Sequence, residues 1–219
     1  MKRALVLPAL LALSAAPLSA QVTVDFTPQI GLYVPLKDLT VGTDATTGLS
    51  LTQRARPKFT IGGRLGLWLA PAFGFEGVVD YNNSSVKSVL GGLPTSPDIS
   101  SHFFASTARA MMKIGSGRGV AVILSAGGGL VDRGGDFISG TNPPLTTYTG
   151  RTDLAGAGGI AFLVPLSRVV AARIAVDGLT YKASYSNAIF GSTGSQRQYD
   201  LVITFGLTGP FKEYGIPGD

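Results

Sequence analysis

The chain has 219 residues, 45% of them hydrophobic and only 14% charged, against a norm of about 25% charged. It carries a formal net charge of +5, 30 glycines, 13 prolines and no cysteine. The lack of cysteine excludes disulfides and a lipid-bearing cysteine, and the glycine and proline content argues against a helical fold.

In chain order, residues 1–20 read as a signal peptide. Lys2 and Arg3 form a basic start, Ala4 to Leu13 an apolar stretch too short to span a bilayer as a helix, and Ser14 to Ala20 a small-residue segment before a cut. A mature chain beginning at Gln21 keeps 16 basic residues (18 less Lys2 and Arg3) against 13 acidic, a net +3. Residues 21–219 then form one domain. No later stretch is long and apolar enough for a membrane helix, so the apolar residues must be spread over alternating positions.

From Val22 to Val34 apolar residues fall at even positions and polar or small ones at odd positions, with Tyr33 as the exception. A period of two is the mark of a strand with one apolar and one polar face. Eight such segments can be marked: 22–34, 58–69, 73–86, 101–114, 119–132, 151–164, 168–185 and 197–208. The links at 70–72, 115–118 and 165–167 are tight turns, whereas 35–57, 87–100, 133–150 and 186–196 are long and rich in Gly, Thr, Ser, Asn and Pro. Every second connection is short, as in barrels with short periplasmic turns and long external loops.

The pattern predicts an all-β fold, an eight-stranded antiparallel up-and-down transmembrane β-barrel. A soluble barrel would reverse the faces. Two faces of the second strand oppose that reversal: Lys58, Thr60, Gly62, Arg64, Gly66 and Trp68 make a weak exterior for water, while Phe59, Ile61, Leu65, Leu67 and Leu69 are bulky and continuous. Aromatics also gather at the strand ends. Tyr33, Phe59, Tyr81, Phe104, Tyr185 and Tyr199 fall toward the long-loop rim, and Trp68, Phe73, Phe75, Phe162 and Phe205 toward the turn rim, as expected of two lipid–water boundaries.

On this pattern the chain resembles the small eight-stranded outer-membrane barrels of Gram-negative bacteria, the OmpA/OmpX-like family. The last strand, Tyr199 to Leu207, is similar to the C-terminal signal read by the barrel assembly machinery, although the chain continues through Pro210, Phe211 and Tyr214 to Asp219. The resemblance implies residence in the outer membrane, contact with its lipid and lipopolysaccharide, and a monomer.

The inward positions carry isolated charges of both signs: Asp25, Arg64, Glu76, Asp80, Arg109, Asp153, Arg173, Asp177 and Asp200. Pairing Leu69 with Phe73 across the first turn sets Glu76 opposite Gly66, diagonal to Arg64, with Arg109 at similar height. Arg64, Glu76, Arg109, Arg173 and Asp177 are therefore expected to form a structural network that plugs the lumen, because an interior this narrow can be filled by side chains and each buried charge needs a partner. The long-loop rim is basic, and Arg54, Arg56 and Lys58 are its candidates for lipopolysaccharide contact; Lys87, Arg133, Arg151, Lys182 and Arg197 share that rim.

No catalytic, metal or cofactor constellation stands out. His102, the sole histidine, has Phe104 two residues on, where outer-membrane lipid A deacylases have a serine. Gly115-Ser116-Gly117-Arg118-Gly119 joins two strands and opens no helix, so it reads as a turn rather than a phosphate loop. There is no basic stripe with stacking aromatics, so nucleic acid is not expected. The leading expectation is a non-enzymatic envelope protein that is structural or presents its long loops. The alternative is a narrow channel for small or apolar solutes, similar to OmpW-like barrels, and a lipid-modifying enzyme comes third.

Overall fold

The computed structural model describes residues 22–43, 48–94, 98–115, 119–134, 147–148, 152–167, 169–187 and 192–213. The expected signal peptide therefore lies outside the described residues. So do Arg151 and the 116–118 part of the glycine turn.

Eight long strands form the wall: β1 (Thr23–Pro35), β4 (Lys58–Ala70), β5 (Phe73–Leu90), β7 (Ile99–Ile114), β8 (Ala121–Gly134), β10 (Thr152–Pro165), β11 (Ala171–Asn187) and β12 (Ser192–Glu213). Each pairs antiparallel with its neighbours in chain order, and β1 pairs with β12, which closes the cylinder. Closure satisfies the backbone hydrogen bonds of every wall strand, the condition for crossing lipid without helices.

The two faces follow the alternation. In β1 the even residues Phe26, Pro28, Ile30 and Leu32 are exposed, and the odd residues Thr27, Gln29 and Tyr33 are buried. In β4 the exposed set is Phe59, Ile61, Leu65 and Leu67, and Thr60, Arg64 and Trp68 are buried. A protein in water does not turn its large apolar side chains out and its arginines in; the exterior is made for lipid. Inside, a small barrel bends so tightly that some inward positions leave no room for a side chain. A Cβ on Gly127 would run into the Ala108 carbonyl oxygen and one on Gly129 into that of Ser106. These strand glycines are where neighbouring backbones approach most closely.

Among the described side chains, which do not include that of Tyr185, two aromatic positions differ from the belt expected for them. Tyr33 is 0% and Trp68 8% exposed, since both sit on the inward parity of their strands. Alternation outranks position along the strand. Phe59, Tyr81, Phe104 and Tyr199 are exposed at one end and Phe73, Phe75, Phe162 and Phe205 at the other.

The wall is also taller at the long-loop rim than the alternation suggests. Within the first long link, β2 (Thr40–Thr43) and β3 (Ser50–Ala55) form a hairpin, and β3 continues the pairing of β4 along β5, from Ala55↔Val86 to Leu51↔Leu90. Two shorter strands, β6 (Leu93–Pro94) and β9 (Thr147–Tyr148), pair with β5 and β11. At the other end β12 runs past Leu207 to Glu213. Its register against β1 shifts between Val24 and Asp25, opposite Lys212 and Pro210, so Phe211 is the extra residue of a bulge where proline is tolerated.

Candidate functional site

The lumen is where the charged residues converge. The pairing Gly66↔Glu76 holds as expected, but the first turn closes on Ala70↔Phe73, with an irregularity between Trp68 and Ala70 absorbing one residue. Glu76 thus points inward beside Arg64, and Arg109 is its cross-strand partner on β7. The guanidiniums do not follow that backbone pairing. Arg109 reaches across the barrel to Asp177 of β11, and Arg64 also binds Asp177. Glu76 takes Arg173 at 2.7 Å, with Arg64 at 3.5 Å. Gln29 completes this lower layer, accepting from Arg64 Nε at 2.5 Å and donating to Asp80 at 2.6 Å. All seven side chains are buried. Charges out of water need this density of partners, because each unpaired one costs several kcal/mol. Glycine makes room for the carboxylates: a Cβ at Gly159 would collide with Asp177 and one at Gly62 with Asp80.

Nearer the long-loop rim a second layer is centred on Arg133, which alternation on β8 also turns inward. Arg133 is 5% exposed, so it is a lumen residue and not part of the basic rim. It donates to the Tyr33 hydroxyl at 2.6 Å, to Tyr181 at 2.7 Å and to Asp200 at 2.8 Å, and Tyr181 itself donates to Asp200 at 2.7 Å. Its guanidinium also lies over the rings of Tyr33, Phe103 and Tyr181 at 5.8, 5.2 and 5.4 Å. Aromatic faces and a shared anion together make a buried arginine tolerable. The sequence carried the signal for this layer in the inward parity of Tyr33, Arg133, Tyr181 and Asp200, but the four are spread over 168 residue positions.

Small polar side chains such as Thr27, Thr60, Thr107 and Thr204, together with apolar ones, fill the rest. Leu39, Ala55, Val86 and Ala183 lie buried in the same cluster as Tyr33 and Phe103. Trp68, Met111, Ile123, Ala161 and Ala175 cluster toward the turn rim, where Trp68 donates to Asp25 at 2.6 Å. Leu39 is held by its amide on the Gln53 carbonyl at 2.7 Å, so the base of the first long link lines the barrel rather than hanging free.

At the rim, Arg54 is paired with Asp38 at 2.8 Å and Arg56 with Asp98 at 2.7 Å, while Lys58 is exposed opposite Tyr33. The candidates for lipid phosphate contact are thus divided: two hold carboxylates of the chain itself. Asp153 is half-buried at this rim. His102 stands 3.9 Å from Asp132, and the neighbouring Ser101 hydroxyl is turned away to the Gly134 carbonyl at 3.1 Å. Among the described residues no cluster of His, Asp and Glu is arranged to hold a metal ion.

By sequence the chain matches no protein-family model and no curated protein. By structure it is similar to the outer membrane protein OprG from Pseudomonas aeruginosa, with a TM-score of 0.62 and 15% identity over 89% of this chain and 99% of that one. It is similar as well to the outer membrane protein AlkL (TM-score 0.57, 13% identity, 93% and 96% covered). The Escherichia coli outer membrane protein W gives 0.51 at 14% identity, with 88% and 100% covered. The fold is that of a small outer-membrane β-barrel. Identities this low speak for the architecture alone; the lipid-facing exterior of a closed, even-stranded barrel is what puts it in a bacterial outer membrane.

Proposed function

We propose that the barrel is a non-enzymatic, non-conducting outer-membrane protein whose envelope role is carried by its lipid-facing wall and its long-loop rim. The observation behind this reading is the double ionic closure of the lumen: Arg64, Arg109 and Arg173 with Glu76 and Asp177 at one level, and Arg133 with Asp200 and two tyrosines at another. An ion passing through would have to break both sets of buried pairs. The His102–Asp132 pair gives catalysis no support, since the Ser101 hydroxyl is turned to the Gly134 carbonyl and the Thr152 hydroxyl donates to Asp132 at 3.4 Å rather than meeting the imidazole. Specificity on such a scaffold belongs to the rim, where connections vary most freely. Biogenesis through the barrel assembly machinery, with β12 as the segment recognised, fits the closing position of that strand.

Planar-bilayer recording combined with liposome swelling tests the reading. Purified barrel is expected to give negligible steady conductance and no solute-driven swelling. A stable open pore, or uptake of small solutes, would replace it with the channel alternative.

A further inference from the structure

The outer wall carries a hollow that the lumen does not explain. Where β8, β10 and β11 run side by side, the outward positions Ala126, Gly156, Gly158 and Gly178 are nearly without side chains. Leu36, Tyr199 and Leu201 border them, and the hollow measures about 460 Å³ with mainly apolar walls. That is within the roughly 300–1,000 Å³ of sites that bury small ligands.

Directly beyond Tyr199, toward the long-loop rim, three cations gather on the same outward face. Lys182 of β11 and Arg197 of β12 are direct cross-strand partners. Lys37, just past β1, holds its Nζ 5.9 Å from the Tyr199 ring centroid. All three are exposed, and among the described residues none has a carboxylate partner, unlike Arg54 and Arg56. Like charges directly opposite one another destabilise a sheet unless an anion joins them. The pair stands two residues beyond the level of Tyr199, roughly 7 Å along the strand, which is where headgroups begin above an aromatic belt.

We propose that this face binds a phosphorylated, multiply acylated glycolipid of the outer leaflet. Its phosphate sits on Lys37, Lys182 and Arg197, and one acyl chain lies in the hollow over Gly156, Gly158 and Gly178. Arginine grips phosphate with paired N–H donors and lysine adds point charge. The glycines let the chain lie against backbone, and the Tyr199 ring divides the charged part of the site from the apolar part. The site is independent of whether the lumen conducts.

Native mass spectrometry of the detergent-purified barrel with added lipid A tests this. One lipid A should be retained per barrel. Removing its phosphates, or the double change Lys182→Gln with Arg197→Gln, should weaken retention about tenfold or more, the effect of losing a charge-assisted hydrogen bond. Gly158→Leu should weaken it too by filling the hollow. A Cβ there meets nothing nearer than the Ser125 oxygen at 3.6 Å, so the barrel should still fold, as heat-modifiable gel mobility will show. Equal retention of phosphate-free lipid A or of a phosphoglycerolipid would overturn the proposal, as would wild-type retention by either folded variant. A dimer dispersed by Gly158→Leu would assign the hollow to a second copy of the barrel instead.

Discussion

Asp177 holds two guanidiniums at once, those of Arg64 and Arg109, and it is the anion to which Arg109 is bound. Asp177→Asn should therefore cost about 3–5 kcal/mol, because an arginine is left buried without its partner. The double variant Asp177→Asn with Arg109→Met should recover much of that loss, since Arg64 retains Glu76 and no charge is stranded. Urea midpoints of the folded barrel in detergent measure both; a single variant as resistant as the wild type would show the layer to be water-filled. Glycine supplies the complementary case. Gly127→Ala places a Cβ against the backbone of Ala108 and Arg109, whereas one at Gly158 meets its nearest neighbour at 3.6 Å. Gly127→Ala is expected to lower stability by about 1–3 kcal/mol, the usual cost of overpacking, and Gly158→Ala by much less. Equal urea midpoints for the two would remove the close-approach argument.

At the scale of elements, the first long link shows how a segment with no sustained alternation can still be structured. Residues 40–43 and 50–55 each pair for only four to six positions, and β3 gains its place by extending β4 along the upper part of β5. Leu39, Gln53 and Ala55 are buried as a result, so the link belongs to the barrel at its base. Its tip is the place for a topology test. An epitope inserted between Thr43 and Gly48 should be labelled by antibody on intact cells with the barrel still heat-modifiable, since insertions at the ends of hairpins are commonly tolerated. Labelling only after permeabilisation would invert the orientation.

For the whole molecule, closure between β1 and β12 makes the first and last strands neighbours, with Thr23 opposite Glu213. The basic, apolar and small-residue order of residues 1–20 predicts export with cleavage after Ala20. N-terminal sequencing of protein from the outer-membrane fraction should begin at Gln21, and a retained Met1 would disprove the cut. On the function proposed above, the lumen serves to bury charge, which leaves the wall and the rim for recognition.

Alternation along the chain determined the eight strands, their antiparallel order and the face each residue takes, because a strand's side chains change sides at every residue and only one side can meet lipid. Inward parity alone was enough to gather Arg64, Glu76, Arg109, Arg173 and Asp177 in the lumen. It could not say that Arg109 would bind Asp177 rather than the facing Glu76, since long side chains choose partners across the interior according to barrel width and stagger. The same limit hid the Arg133 layer, whose members lie on β1, β8, β11 and β12 and meet only when the sheet closes. The hollow beside Lys182 and Arg197 depended on closure and register as well. A glycine in one strand marks nothing until neighbouring strands bring such small residues level on the outer face.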